Sequence, residues 1–288
     1  MNLLDELEER VVCGDGAMGT LLLAAGVPIE RCFEELCVSE PERIQKIHED
    51  YIAAGARVIE TNTFGANAVR LERFGMGKRV REINRAAVAV ARSAAKNKDV
   101  YVGGSVGPLG ISGEEAAVRG VDRAECFREQ ITVLVDSGVD VIFFETFTDL
   151  EEMEIALRAK NEVGDVLDIC SFACVRDGRL RCGTMLVDAF VRLTDMGAKL
   201  VGVNCLNDPR EMAALLEHIP AGYSLAVYPT AGQPRRHDND FHYDVTPESF
   251  AKYAGDFVTH GARLLGGCCG TTPTHIASLA TAIANLLR

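Results

Sequence analysis

Short apolar or β-branched runs that end in small and polar residues recur along the chain, and each is followed by a stretch with helical periodicity. Several of these runs are apolar at successive positions, which is typical of strands buried on both faces of a parallel sheet. Eight runs show the pattern, at residues 11–16, 58–64, 100–107, 139–147, 169–175, 200–205, 224–230 and 263–270.

Apolar stripes at helical spacing separate these runs and predict helices between the strands. The clearest stripes lie at 41–54, 78–95, 123–136 and 150–163. Three prolines, Pro209, Pro247 and Pro273, stand where a first helical turn would begin, a position that tolerates the missing N–H. Eight strand-then-helix units predict an α/β fold, a (β/α)8 TIM barrel formed as a single domain by residues 1–288. A doubly wound open sheet is the alternative, because a strand count from one sequence is easily wrong by one or two.

Polar residues close the predicted strands. The active site of a (β/α)8 barrel lies at the carboxyl ends of its strands, so we expect these side chains to meet at one mouth. They are Asp15, Thr61, Asn62, Ser105, Glu145, Cys205, Thr230, Cys268 and Cys269.

Composition and charge exclude several classes of protein. The 288 residues are 48% hydrophobic and 25% charged, which fits an ordinary folded domain. The net charge of −12 would repel a phosphate backbone or an anionic membrane, so neither nucleic acid nor membrane is an expected partner. No uncharged apolar run approaches the roughly 18 residues of a spanning helix, and the first residues lack the basic segment of a signal peptide. A cytoplasmic location is therefore expected.

The segment at 14–19 reads Gly-Asp-Gly-Ala-Met-Gly and matches the dinucleotide-binding pattern G-x-G-x-x-G. A nucleotide is disfavoured for two reasons. Asp15 would place a carboxylate beside the pyrophosphate, and the next strand begins about 40 residues later, which is too far for a ∼30-residue βαβ unit. We interpret the segment as a tight turn that presents Asp15 and backbone N–H groups to a polar ligand. A purely structural turn remains the alternative.

Ten cysteines in a chain expected to stay in a reducing compartment do not predict a disulfide framework. Cys268 and Cys269 end the eighth strand between glycines, and Cys205 ends the sixth, so a barrel would bring three thiols to one mouth. Three thiolates leave one position open on a tetrahedral zinc ion, the arrangement of a catalytic site. The remaining cysteines are interpreted as small packing residues: Cys13, Cys32, Cys37, Cys126, Cys170, Cys174 and Cys182.

Five segments resemble, in order, the motifs of the homocysteine S-methyltransferase family. They are residues 14–20, 60–67, 144–146, 202–205 and 266–273, and the resemblance covers nearly the whole chain. The segment at 60–67, Glu-Thr-Asn-Thr-Phe-Gly-Ala-Asn, is most similar to the homocysteine module of cobalamin-dependent methionine synthases and their reductase-fused relatives.

This resemblance implies an enzyme that methylates L-homocysteine to L-methionine through a zinc-bound thiolate. Zinc, one ion per chain, would be held by Cys205, Cys268 and Cys269, and the substrate ammonium by Asp15 and Glu145. The methyl group would come from a methylcobalamin or methyltetrahydrofolate system on a partner module, or from S-methylmethionine.

Backbone N–H groups near Gly16, Ala17 and Ser105 are expected to bind the amino acid carboxylate. Thr230 stands where the family has an asparagine, and it is expected as a fourth metal ligand or as a residue beside the metal. Two alternatives stay open: methylation of another thiol, and a non-catalytic zinc-binding subunit that docks a corrinoid protein.

Overall fold

Strands and helices alternate along the computed structural model, which describes residues 2–173, 177–237 and 240–286. All eight predicted strands are present, together with a hairpin, β8–β9, that the sequence pattern did not predict. The strands are β1 Val12–Cys13, β2 Val58–Glu60, β3 Tyr101–Val106, β4 Val141–Phe147, β5 Leu167–Phe172, β6 Leu200–Asn204, β7 Leu225–Tyr228, β8 Arg235–His237, β9 Asp240–His242 and β10 Ala262–Leu265.

The helices follow the predicted stripes closely. They are α1 Leu3–Glu9, α2 Gly19–Ala24, α3 Leu36–Ser39, α4 Pro41–Ala53, α5 Ala68–Glu72, α6 Val80–Ala95, α7 Gly113–Arg119, α8 Arg123–Asp136, α9 Leu150–Val163, α10 Leu186–Asp195, α11 Pro209–Leu216, α12 Pro247–Ala251, α13 Ala254–Thr259 and α14 Pro273–Leu286. A single turn of 3-10 helix, Gly77–Arg79, precedes α6 and takes up the first residues of the predicted stripe. The three predicted prolines open α11, α12 and α14, so this prediction is confirmed.

Eight parallel strands form one sheet in the order β1-β10-β7-β6-β5-β4-β3-β2. A parallel bridge between Gly14 and Val58 joins β1 to β2 and closes the ring. The fold is therefore the predicted (β/α)8 barrel, and the doubly wound alternative is wrong.

Alternate residues along each strand face opposite sides of the sheet. Val58 and Phe143 belong to a cluster that fills the barrel interior, whereas Ile59 and Phe144 pack under the helices in the main core. Both faces of the sheet are thus buried, which explains why the runs are apolar at successive positions.

Helix α1 covers the amino-terminal end of the barrel. Leu3 and Leu7, one turn apart, join the interior cluster. Glu6, on the same helix, pairs with Arg57 (Nη2 to Oε2, 2.7 Å) and accepts a hydrogen bond from Tyr101 at the start of β3 (2.9 Å). This end is closed by packing and an ion pair, which leaves the opposite end for a site.

Most strands stop earlier than predicted, because the polar residues at their carboxyl ends belong to loops. The first strand ends at Cys13 and the second at Glu60, rather than at residues 16 and 64. The last two positions of the fifth predicted run lie outside the described residues.

None of the helices in the described ranges combines the length and apolar character needed to cross a membrane.

Candidate metal and substrate site

A cavity of about 510 Å³ opens at the carboxyl ends of the barrel strands. Its lining includes the loop after β1, the ends of β4 and β6, and the Gly267–Cys269 segment after β10. We call it the mouth cavity. A neighbouring cavity of about 620 Å³ shares Phe64 and Thr146 with it but is lined by none of the three predicted metal ligands.

Cys205, Cys268 and Cys269 form a cluster in the mouth cavity, which we call the cysteine cluster. Their sulfur atoms all lie within 4.8 Å of one another, and Cys205 Sγ is 3.9 Å from Cys269 Sγ. Two sulfurs bound at about 2.3 Å to a tetrahedral ion would be about 3.8 Å apart. The donor set and its spacing therefore fit a thiophilic metal ion such as Zn²⁺.

The backbone around Cys205 is strained and tightly held. Cys205 and Leu206 both have φ near +59°, a left-handed conformation that is uncommon for residues with a Cβ. The N–H of Cys205 donates to the carbonyl of Tyr228 (2.9 Å), and the N–H of Asn207 donates to the carbonyl of Cys205 (2.7 Å). Such strain persists only where the surroundings hold it, and it is concentrated at functional sites.

The loop after β10 is fixed by contacts with two other strands. Gly267 N–H donates to the carbonyl of Asp15 (2.9 Å), and Cys268 N–H donates to the carbonyl of Pro229 (2.8 Å). The segment that carries two cysteines is thus anchored to the loops after β1 and β7.

The three thiols are electrostatically coupled. Hydrogen bonds with Cys205 and Cys268 lower the pKa of Cys269 to about 3. The pKa of Cys205 is lowered by its hydrogen bond with Cys268, but the hydrogen bond with Cys269 and burial outweigh this and raise it to about 12. Hydrogen bonds with both partners raise the pKa of Cys268 well above its usual range. The protein alone favours one negative charge here, and a bound cation would replace the remaining protons.

Of the carboxyl groups that line the mouth cavity, those of Asp15, Glu60 and Glu145 act on one another electrostatically, and we call these three the carboxyl cluster. Asp15 Oδ2 accepts the backbone N–H of Glu60 (2.9 Å). Glu145 accepts the hydroxyl hydrogen of Ser105, and the Glu60 carboxyl lies close enough to act on the pKa of Glu145. Glu60 was not predicted as a site residue.

Burial makes the ionised form of all three carboxyls costly. It raises the pKa of Asp15 well above its usual range, although the N–H of Glu60 opposes the shift, and the nearby Glu145 raises it further. Burial, Glu145 and Asp15 all raise the pKa of Glu60. Burial also raises the pKa of Glu145, against hydrogen bonds from Ser105 and Glu60 that lower it. A cationic ligand would relieve this repulsion.

Two of the three predicted carboxylate-binding N–H groups already have partners. The N–H of Ala17 donates to Thr271 Oγ1 (3.1 Å), and that of Ser105 donates to Thr61 Oγ1 (3.2 Å). Gly16 and Ala17 line the mouth cavity together with Ser105. The structure thus brings all three residues to the site.

Thr230 is buried behind the cysteine cluster. Its hydroxyl donates to the carbonyl of Asn207 (3.2 Å), and its N–H donates to the same oxygen (2.9 Å). These bonds fix the loop that follows Cys205.

The other cysteines follow the packing interpretation only in part. Cys13, Cys32, Cys37 and Cys170 are buried, as expected of packing residues, whereas Cys126 is half-buried and Cys182 is exposed. Cys174 lies outside the described residues.

Tyr228 and Tyr243 also line the mouth cavity and were missed from the sequence. Tyr243 follows β9, and its ring lies against Gly270, where a Cβ atom would come within 2.1 Å of the ring. Burial, and then the charges of the cysteine cluster, raise the pKa of Tyr243 to about 12. The signal available in the sequence was the glycine directly after Cys269, and the structure shows that Gly270 adopts φ +80°.

The fold and the site define a class of protein: a (β/α)8 barrel that carries, at one mouth, a three-thiol cluster able to hold a metal ion and a carboxyl cluster beside it. The family model for homocysteine S-methyltransferase matches residues 12–283, and the chain belongs to this family. The resemblance drawn from the five segments is confirmed.

Known proteins similar to the chain include a methionine synthase from Mycobacterium tuberculosis, 34% identical over all of this chain. A solved structure of the homocysteine methyltransferase MmuM from Escherichia coli, in its oxidized form, is 27% identical with a TM-score of 0.80, over 98% of this chain and 99% of that one. The metallated form of MmuM is 28% identical with a TM-score of 0.77, over 94% and 96% of the two chains.

The two kinds of relative differ in length. The chain spans 26% of the mycobacterial methionine synthase, but it matches MmuM almost from end to end.

Proposed function

We propose that the chain methylates the sulfur of L-homocysteine to give L-methionine. The observation that carries the proposal is the presence, in one cavity, of a cysteine cluster and a carboxyl cluster. The first suits a thiol held beside a metal, and the second suits the ammonium of an amino acid. Family membership supports the same assignment.

We infer that one Zn²⁺ ion is held by Cys205, Cys268 and Cys269. A bound zinc ion would keep a substrate thiol ionised at neutral pH, where a free thiol is mostly protonated. The spacing of the three sulfurs supports this assignment, as does the existence of a metallated form of MmuM.

Asp15 and Glu145 are proposed to bind the substrate ammonium. They line the mouth cavity together, after β1 and within β4, and no lysine, arginine or histidine in the described part of the chain forms an ion pair with either. An ammonium group would supply the missing counter-charge. The backbone around Gly16, Ala17 and Ser105 is proposed to bind the carboxylate of the same amino acid.

For Thr230 we propose a supporting role rather than ligation. Thr230 does not line the mouth cavity, and its hydroxyl donates to the carbonyl of Asn207, two residues beyond Cys205. Thr230 would therefore hold the backbone that aims the Cys205 thiol.

In the proposed reaction the sulfur of homocysteine attacks the methyl group of the donor. The S–CH₃ bond forms as the bond between the methyl group and its donor breaks. The substrate thiolate supplies the electron pair, and the carboxyl cluster keeps the amino acid oriented during the transfer. We propose a methylcobalamin or methyltetrahydrofolate system on a partner module as the donor, because mycobacterial methionine synthases about four times longer contain this chain's counterpart. S-methylmethionine is the alternative small donor.

We propose a cytoplasmic location because the cysteines are free thiols. The cysteines of the described ranges are all free, and free thiols persist in reducing compartments.

The test is methionine formation by the zinc-loaded, reduced chain from homocysteine and each donor in turn: methylcobalamin, methyltetrahydrofolate with a corrinoid, and S-methylmethionine. We expect turnover with at least one donor and none from Cys269→Ala. Cys126→Ala, which removes a thiol on α8 away from the site, serves as the matched control and should retain activity. A Cys269→Ala variant as active as the parent would refute the proposal.

A further inference from the structure

Glu60 supplies a third carboxyl group to a pocket for which the sequence predicted two. It is the last residue of β2, and its side chain lines the mouth cavity with Glu145. Its backbone N–H holds Asp15 in place (2.9 Å). Glu60 thus contacts both residues proposed to bind the ammonium.

The surroundings of the carboxyl cluster contain little positive charge. The groups that act on it electrostatically include Cys13, Tyr51, Tyr228, Cys269 and Arg70. Arg70, the one cation among them, donates its Nε hydrogen to the carbonyl of Pro108 (2.7 Å) and stacks over the ring of Phe64. Three acids without a paired base would be expensive in the absence of a cationic ligand.

A second observation also points to a ligand. The Tyr228 hydroxyl is buried and has no hydrogen-bond partner, although the residue lines the mouth cavity. Its ring packs edge-on against Phe143 (5.2 Å between centroids) and reaches the spaces left by Gly14 and Gly266. Burial, and then the nearby carboxyl groups of Glu60 and Asp15, raise the pKa of this hydroxyl, so an unpartnered hydroxyl lies beside the cluster.

We propose that Glu60 is a third acceptor for the substrate ammonium and makes the pocket selective for an unsubstituted primary ammonium. A primary ammonium carries three N–H donors, and the cluster offers one carboxyl each from Asp15, Glu60 and Glu145. A secondary ammonium would have to turn its N-methyl group toward one carboxylate and leave that charge unpaired. The inference rests on the proposed function, since it deepens the assignment of the same site.

Calorimetric titration of the zinc-loaded chain with three thiols tests this. They are L-homocysteine, N-methyl-L-homocysteine, and 4-sulfanylbutanoate, which lacks the amino group. The variants are Glu60→Gln, which keeps the shape, and Glu60→Ala, which opens space. Glu34→Gln removes a carboxylate from the same cavity but outside the cluster, and its Oε1 can still accept the N–H of Gly65 as Glu34 does (2.8 Å).

The parent and Glu34→Gln should prefer homocysteine to its N-methyl derivative by about ten-fold or more, which corresponds to one lost charge-assisted hydrogen bond. Glu60→Gln should weaken homocysteine binding by about ten-fold and narrow this preference, and Glu60→Ala should narrow it further. All the chains should bind 4-sulfanylbutanoate equally and contain equal zinc, which shows that the fold is kept.

An unchanged preference in both Glu60 variants would overturn the inference, as would an equal loss of affinity for 4-sulfanylbutanoate. If the parent chain bound none of the thiols, the proposed function itself would fail and this inference with it. Normal homocysteine binding by the parent, with unaltered selectivity in the variants, would remove only the role of Glu60.

Discussion

Glu145 shows how a single residue joins the fold to the site. It lies in β4 after four buried apolar residues, 141–144, and its carboxyl group turns into the mouth cavity. Its ionised form is held by Ser105 but opposed by burial. A buried ionised carboxylate is unfavourable unless a cation pairs with it. An ammonium ligand would remove this unfavourable free energy, so the free protein favours its binding.

Replacing Glu145 with glutamine should weaken homocysteine binding by tens-fold or more, because removing one member of a desolvated charge pair typically costs about 2–5 kcal/mol. Calorimetry would measure the loss, and metal analysis should find the zinc content unchanged. A thiol without an amino group should bind the variant and the parent equally. Loss of zinc from Glu145→Gln would instead make Glu145 part of the metal site.

Cys268→Ala should lose zinc while the barrel remains folded, because one of three ligands is gone and the core does not include this residue. Metal analysis after dialysis, together with circular dichroism, would measure both effects. Cys126→Ala is the matched control and should keep its zinc. Zinc at full stoichiometry in Cys268→Ala would contradict the assignment.

The sequence indicated most of the site residues, because parallel strands of a barrel all end at the same mouth. It could not indicate Glu60, since a glutamate at the last position of a strand looks like part of the strand until neighbouring strands place it beside Glu145. Tyr228 was missed for a similar reason: an aromatic residue in an apolar run is ordinary core, and only the packing leaves its hydroxyl without a partner.

At the scale of elements, the residues directly after β1 and β10 must be glycine because Tyr228 fills the space beside them. A Cβ atom at Gly14 would lie 2.0 Å from the Tyr228 hydroxyl oxygen, and one at Gly266 would lie 2.3 Å from its ring. These glycines therefore let one side chain of β7 lie against the chain just beyond its sheet neighbour β10 and beyond the next strand, β1.

Gly14→Ala should destabilise the fold by about 1–3 kcal/mol through overpacking. Thermal unfolding would report this as a drop of about 2–4 °C for each kcal/mol. Gly164→Ala is the control, because it follows α9 in extended backbone with nothing within 4 Å of the added methyl group. Equal melting temperatures for Gly14→Ala and the parent would contradict this prediction, because they would show that Tyr228 shifts without loss of stability.

Element boundaries were predicted best where the periodic stripe is long. Helices α8 and α9 have the predicted bounds, since each begins with an aspartate cap, Asp122 or Asp149. The hairpin β8–β9 was not predicted, because its strands are short and no apolar alternation marks them. Its position over the mouth, with Tyr243 just beyond it, depends on tertiary contacts.

At the scale of the whole molecule, the barrel has one closed end and one open end. Helix α1 closes the first through Leu3, Leu7 and the ion pair of Glu6 with Arg57. The buried ion pair is intact only while Glu6 is ionised. The free energy of unfolding should therefore fall when Glu6 is protonated at low pH.

Burial raises the pKa of Glu6, but hydrogen bonds from Arg57, Arg10 and Tyr101 outweigh it and lower the pKa from 4.5 to about 2. As the pH falls through this window the unfolded chain takes up the proton first, so stability is present above about 4.5 and is lost toward about 2. Denaturant unfolding of the parent and Glu6→Gln across that range should show a smaller loss in the variant. Glu8→Gln changes an exposed residue on the same helix and should behave like the parent. If the free energy of unfolding fell equally with pH in Glu6→Gln and the parent, the proposed link to Glu6 would be contradicted.

The barrel as a whole could be predicted because eight apolar runs with intervening helical stripes admit few other topologies. The closing bridge between Gly14 and Val58 could not, since a single residue pair leaves no periodic trace in the sequence. Nor could the methyl donor be predicted from the sequence, since the chain matches 26% of a mycobacterial methionine synthase and 99% of MmuM.

The central claim is that the cysteine cluster holds a metal ion whose remaining position takes the sulfur of homocysteine. X-ray absorption at the zinc edge of the loaded chain, without and with L-homocysteine, tests it most directly. We predict three sulfur neighbours at about 2.3 Å without substrate and four with it. A sulfur count that stays at three when homocysteine saturates the protein would contradict the claim.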